Sequence, residues 1–120
     1  MTARIIVADD HPLFREAIQQ ALTGLFGDVD FVEADSFESL EAAARENEDA
    51  ELVLLDLDMP GTRGFSALAW LRAQYPALPV IIVSAVTEPT IMRRALDFGA
   101  SGYIPKASPI NEIGEAVRSV

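Results

Sequence analysis

The chain has 120 residues, half of them apolar and 23% charged, which suits one domain with a sizeable buried core and argues against disorder. Nine basic against nineteen acidic side chains leave a net charge of −10, which opposes any electrostatic grip on nucleic-acid phosphates or anionic lipid. With no cysteine there is no disulfide, thiolate metal site or cysteine nucleophile, and no apolar run suits a signal peptide or a membrane span, so the expected compartment is the cytoplasm.

In chain order, Arg4–Ala8 is the first β-branched run and ends on Asp9-Asp10. Phe14, Ile18, Ala21, Leu22 and Leu25 then recur at helical spacing, with His11 at the helix start. Val29–Glu33 is the second strand. Ser36 has the character of an N-cap, and the second helix runs from it to about Glu46. Leu52–Asp56 is the third strand, followed by turn glycines Gly61 and Gly64 and a helix carrying Phe65, Leu68, Leu71 and Tyr75. Val80–Ser84 is the fourth strand. Pro89 opens the fourth helix, where a missing N–H costs least, and Arg93 and Arg94 fall on its solvated face. A short fifth strand, Gly102–Ile104, precedes a last helix whose stripe of Ile110, Ile113, Val117 and Val120 reads as core packing, as do Trp70 and the three methionines. Strands that are apolar throughout and alternate with helices predict an α/β fold: a doubly wound, five-stranded parallel sheet with five helices in three layers.

In such sheets ligands collect beyond the carboxyl ends of the strands. Asp9 and Asp10 follow the first strand, Asp56 ends the third with Asp58 two residues on, Ser84 ends the fourth, and Lys106 follows the fifth. Taken singly, these acids read as solvated turn or loop residues; their arrival at one end of the sheet is what points to a site. Carboxylates forced together repel, and the usual relief is a hard divalent cation with oxygen ligands, which implies Mg²⁺. An aspartate can also attack phosphorus and form an acyl phosphate, with the metal and Lys106 neutralising the charge on the equatorial oxygens. His11, the only histidine, is read as a helix-start residue rather than a phosphodonor or base. Tyr103 reads equally as a core aromatic on an edge strand or as a switch.

The segments VADDHPLFREAI, LVLLDLDMPGTRGF, VIIVSA and GASGYIPKASP together resemble the receiver domain of two-component response regulators over nearly the whole chain. DDHPLFREAI and GYIPKAS are similar to the subgroup with a LuxR/NarL-type helix-turn-helix output domain. The resemblance implies a receiver over residues 1–120, strand order 2-1-3-4-5 as in flavodoxin-like folds, and a DNA-binding half outside this chain. It implies that Asp56 accepts a phosphoryl group from a sensor histidine kinase. Mg²⁺ would be held by Asp10 and Asp56 with help from Asp9, and Asp58 would lend its backbone carbonyl. Ser84 would hydrogen-bond a phosphoryl oxygen, Ala85 would leave room beside it, Lys106 would pair with another oxygen, and Tyr103 would be the switch aromatic. A chain of this kind catalyses only its own phosphorylation and dephosphorylation, meets promoters only through the absent half, and can form a homodimer once phosphorylated.

Three departures stand out. The carboxylate of Asp58 and the apolar Val86 flank the acceptor at positions suited to tuning phosphate lifetime. Ala107 follows Lys106 where many receivers have a proline with a cis bond; without proline that bond would cost about 2.5–4 kcal/mol, so the sequence gives no basis for one. Two other functions compete with this reading. Asp56-Leu57-Asp58 resembles the nucleophile motif of haloacid-dehalogenase-type phosphohydrolases, but that family begins with its nucleophile strand, has Thr where this chain has Pro60, and usually adds a cap. A receiver that docks without phosphorylation is the other, and the intact acid set speaks against it.

Overall fold

In the computed structural model, which describes residues 3–119, strands and helices alternate along the chain. The strands are β1 (Ala3–Ala8), β2 (Val29–Ala34), β3 (Leu52–Leu55), β4 (Val80–Ser84) and β5 (Gly102–Pro105). The helices are α1 (Pro12–Phe26), α2 (Phe37–Glu46), α3 (Ser66–Gln74), α4 (Pro89–Asp97) and α5 (Ile110–Arg118). Every strand pairing is parallel, and the order across the sheet is β2-β1-β3-β4-β5, as expected. The chain moves outward from β1 to β2 and then crosses back to β3, so the order reverses between β1 and β3. That reversal opens a crevice at the carboxyl ends of these two strands.

Side-chain alternation along the strands decides the layering. Ile6, Ala8, Val53, Leu55, Val80 and Ile82 face Leu40 of α2, Leu68 and Leu71 of α3 and Ala95 of α4. Ile5, Val7, Leu54, Ile81 and Val83 face Ile18 and Leu22 of α1 and Ile113 and Val117 of α5. A slip of one residue in any pairing would exchange the two faces, so both layers fix the register. Gly114 lets α5 lie close on α1: a Cβ there would come within 2.8 Å of the Leu25 side chain. α2 begins as expected, with a capping box in which Ser36 Oγ accepts from the Ser39 N–H at 3.1 Å and Ser39 Oγ accepts from the Ser36 N–H at 3.0 Å.

Element ends differ from expectation by about one residue. β1 starts at Ala3, β2 runs on to Ala34 and β5 to Pro105, tolerable there because β5 is an edge strand. β3 stops at Leu55 rather than Asp56. The Asp56 N–H still bonds Ala8 O at 2.9 Å, but its side chain accepts the Asp58 N–H at 3.1 Å and turns the chain out of the strand. Phe65 and Tyr75 cap α3 at its two ends instead of lying within it. Gly61 and Gly64 take φ of +84° and +52° as turn residues, and no peptide bond among the described residues is cis. Val120, expected on the α5 stripe, lies outside the described residues.

Candidate functional site

Four loops at the carboxyl ends of the strands bring the site residues together: β1–α1 supplies Asp9, Asp10 and His11, β3–α3 supplies Asp56 and Asp58, β4–α4 supplies the apolar Ala85 and Val86, and β5–α5 supplies Lys106. A cleft of about 320 Å³ opens over them, lined by His11, Phe14, Asp56, Asp58, Ala85 and Lys106. A groove of equal volume at the other end of the sheet is lined mainly by apolar groups such as Ile5, Phe26, Leu52 and Pro79. Its charged residues Asp28, Glu51 and Arg118 are exposed, so it gathers no buried polar set.

Asp9 and Asp56 are each 2% exposed, an unusual depth for carboxylates. Lys106 Nζ lies 2.7 Å from Asp9 Oδ2 and 3.2 Å from Asp56 Oδ2, and stands 4.6 Å from the centre of the Phe14 ring. Asp9 Oδ1 accepts the His11 N–H at 2.7 Å. Oxygens Oδ2 of Asp9 and Oδ1 of Asp10 are buried and receive no hydrogen bond; the Lys106 contact with Asp9 is ionic but not aligned as one. One ligand atom from each of Asp9, Asp10, His11 and Asp56 falls within 4.8 Å of the others. Buried carboxylate oxygens without an aligned hydrogen bond, in a group this tight, fit a divalent cation.

The charges do not balance, because Lys106 pairs with both Asp9 and Asp56 while Asp10 adds a third carboxylate to the cluster. Burial pushes the Asp56 carboxyl above the ordinary carboxylate range and the Asp9 charge adds to this, against the opposing pull of the Asp58 N–H and Lys106. For Lys106, burial pulls the ammonium down, but its close contact with Asp9 and its hydrogen bond and attraction to Asp56 outweigh this and raise it above the ordinary amine value. The cluster therefore holds negative charge that a second cation would relieve.

Asp9, Asp10, Asp56 and Lys106 thus meet at one site. Asp58 is exposed at the mouth of the cleft, where its backbone N–H serves Asp56. Ser84 reaches the same end of the sheet but is fully buried; its Oγ accepts the Val86 N–H at 3.1 Å, and Ala85 lines the cleft instead. Tyr103 is half-buried on β5, and its hydroxyl donates to Val86 O at 2.5 Å. One peptide segment at Val86 thus joins Ser84 to Tyr103.

Two residues of the site were not foreseen in these roles. His11 is at the helix start as expected, yet its ring enters the cluster, with Nδ1 2.9 Å from Asp9 Oδ1 and 3.1 Å from Asp10 Oδ1. Arg15, one turn into α1, donates from Nη1 to Asp9 O at 2.6 Å and from Nε to Glu33 Oε1 of β2 at 3.0 Å. Three residues after the helix start and one after Phe14, its position gave no signal beyond a basic residue on a helix.

Residues 5–118 match the response regulator receiver domain family. The chain is 38% identical over 117 residues to the glycerol metabolism activator of Pseudomonas putida, covering 98% of this chain and 53% of that protein. It is 35% identical over 117 residues to the response regulator GacA of Pseudomonas protegens, covering 98% of this chain and 54% of that protein. The solved signal receiver domain of NarL from Mycobacterium tuberculosis superposes with a TM-score of 0.84 at 38% identity, covering 98% of this chain and 94% of that one. The chain spans about half the length of the two curated relatives. On this match and this fold, the chain belongs to the response regulator receiver domain family, with NarL- and LuxR-type regulators among its relatives.

Proposed function

We propose that this receiver is a phosphorylation-driven switch in which Asp56 takes a phosphoryl group from the phosphohistidine of a sensor kinase, with Mg²⁺ bound by Asp9, Asp10 and Asp56 and the backbone carbonyl of Asp58. The observation that carries the reading is Asp56 itself: a carboxylate 2% exposed at the strand-order reversal, beside Lys106 at 3.2 Å and within a donor set suited to a cation. Bound Mg²⁺ supplies charge neutralisation at the transferred group. An Asp56 oxygen forms a bond to phosphorus as the P–N bond to the donor imidazole breaks; the electron pair leaves with the imidazole, which takes up a proton. The Asp58 N–H holds Oδ1, which fixes the carboxylate for in-line attack. Lys106 leaves Asp9 to meet a phosphoryl oxygen, and Ala85 at the cleft wall leaves space for the group.

The outgoing signal runs through the Val86 segment. A phosphoryl oxygen that draws the Ser84 hydroxyl breaks its bond to the Val86 N–H, the segment shifts, and Tyr103 loses its carbonyl partner. α4 is suited to respond, because only Ala95 of its residues is fully buried while Leu96 and nearby Phe98 are 49% and 47% exposed. The face formed by α4, β5 and α5 is then the surface an output partner reads. That partner is a DNA-binding domain controlling transcription, and the setting is the cytoplasm; no described helix is long and apolar enough to cross a membrane.

Treatment with acetyl phosphate and Mg²⁺ is expected to add the mass of one phosphoryl group to the intact chain. EDTA or Asp56→Asn abolishes the gain. A gain that survives Asp56→Asn, or sustained hydrolysis of generic phosphate esters, contradicts the reading.

A further inference from the structure

His11 is the N-cap of α1, yet its side chain makes no capping hydrogen bond, and histidine is not among the residues that serve this position well. The helix start uses the backbone and leaves the imidazole free. The ring, 62% exposed, turns into the acid cluster instead. Nδ1 stands 2.9 Å from Asp9 Oδ1, 3.1 Å from Asp10 Oδ1 and 3.8 Å from Asp56 Oδ2. Ligands of an octahedral ion with bonds of about 2.1 Å are separated by about 3.0 Å along an edge and about 4.2 Å across. Two of these separations are edges of such a polyhedron and the third lies between edge and diagonal.

A conflict at Nδ1 points the same way. Lys106 Nζ, which can only donate, is also 2.9 Å from Nδ1. If Nδ1 bears a proton, that proton meets the ammonium; if it does not, its lone pair faces the lone pairs of Asp9 Oδ1. Either tautomer leaves one of two close contacts unsatisfied. A cation bonded to Nδ1, with Lys106 withdrawn, removes the conflict and also serves Asp9 Oδ2 and Asp10 Oδ1, which receive no hydrogen bond.

We propose that His11 is a nitrogen ligand to the divalent cation of this site and shifts its preference from Mg²⁺ toward later first-row ions. The proposal rests on reading the cluster as a cation site. Mg²⁺ favours oxygen donors and keeps several waters, so it gains little from an imidazole, whereas Co²⁺, Ni²⁺ and Zn²⁺ bind imidazole well. With two or three carboxylates and one imidazole around the remaining waters, the site takes the form of a mixed nitrogen–oxygen centre open on the cleft side, where a phosphoryl oxygen would enter.

The test compares Co²⁺ and Mg²⁺ binding by competition titration in the wild type, His11→Ala and His11→Gln. The ratio of Co²⁺ to Mg²⁺ affinity is expected to fall on the order of tenfold or more in both variants. The Co²⁺-loaded wild type should also show one strongly shifted exchangeable ring N–H resonance, absent from His11→Gln; as the only histidine, His11 is its only source. An unchanged ratio, or an unshifted His11 ring at Co²⁺ saturation, overturns the proposal and leaves the cation site standing. Failure of both ions to bind overturns the cation site and this inference together.

Discussion

At Asp56 the fold works against its own charge. The residue is buried beside Asp9, and the ammonium of Lys106 is shared between them. Removing the charge without removing the shape should therefore help the metal-free protein. Asp56→Asn is expected to raise stability by about 1 kcal/mol in EDTA, a rise in Tm of several degrees for a domain of this size. Added Mg²⁺ should then raise the Tm of the wild type by mass action and leave the variant nearly unmoved. Thermal melts with and without Mg²⁺ check this; a variant less stable than the wild type in EDTA contradicts it. At this scale most of the site was legible, because Asp9, Asp10, Asp56 and Lys106 each interrupt or follow an apolar run. His11 was legible only as a helix start. Its ring direction depends on side-chain rotamers and on where the third strand lies, and neither is written in local periodicity.

Between elements, Arg15 ties the first turn of α1 to the end of β1 through Asp9 O and to β2 through Glu33, where Gln19 joins the same carboxylate at 3.0 Å. The two bonds should differ in worth. A charged donor on a half-buried carbonyl holds the loop that carries two acids, whereas Glu33 is 54% exposed and its pair is screened by water. Arg15→Ala is expected to cost about 1–2 kcal/mol and Glu33→Gln less than about 1 kcal/mol, read from urea unfolding midpoints. Equal costs would show that the Asp9 carbonyl contact contributes nothing. Helices and strands themselves were readable from apolar spacing, down to the Ser36 cap. Their ends were less so: β3 closes one residue early because Asp56 turns its own loop with a side-chain bond, a competition that hydrophobic pattern does not record.

Over the whole molecule, layering and strand order come from different sources. Strands apolar on both sides announced a central sheet between two helix layers, and Leu54 and Leu55 do face opposite cores. The same feature hides the order of strands, since every strand looks alike to its neighbours; the order was available from the family resemblance alone. The excess negative charge also acts at this scale, opposing an electrostatic grip on nucleic-acid phosphates or anionic lipid. The proposed switch depends on one covalent bond. Phosphorylating the chain with acetyl phosphate and Mg²⁺, cleaving the acyl phosphate reductively with borohydride and mapping the peptides should convert Asp56, and no other acid, to homoserine. Conversion at Asp9, Asp10 or Asp58 in place of Asp56, or at no residue, would contradict it.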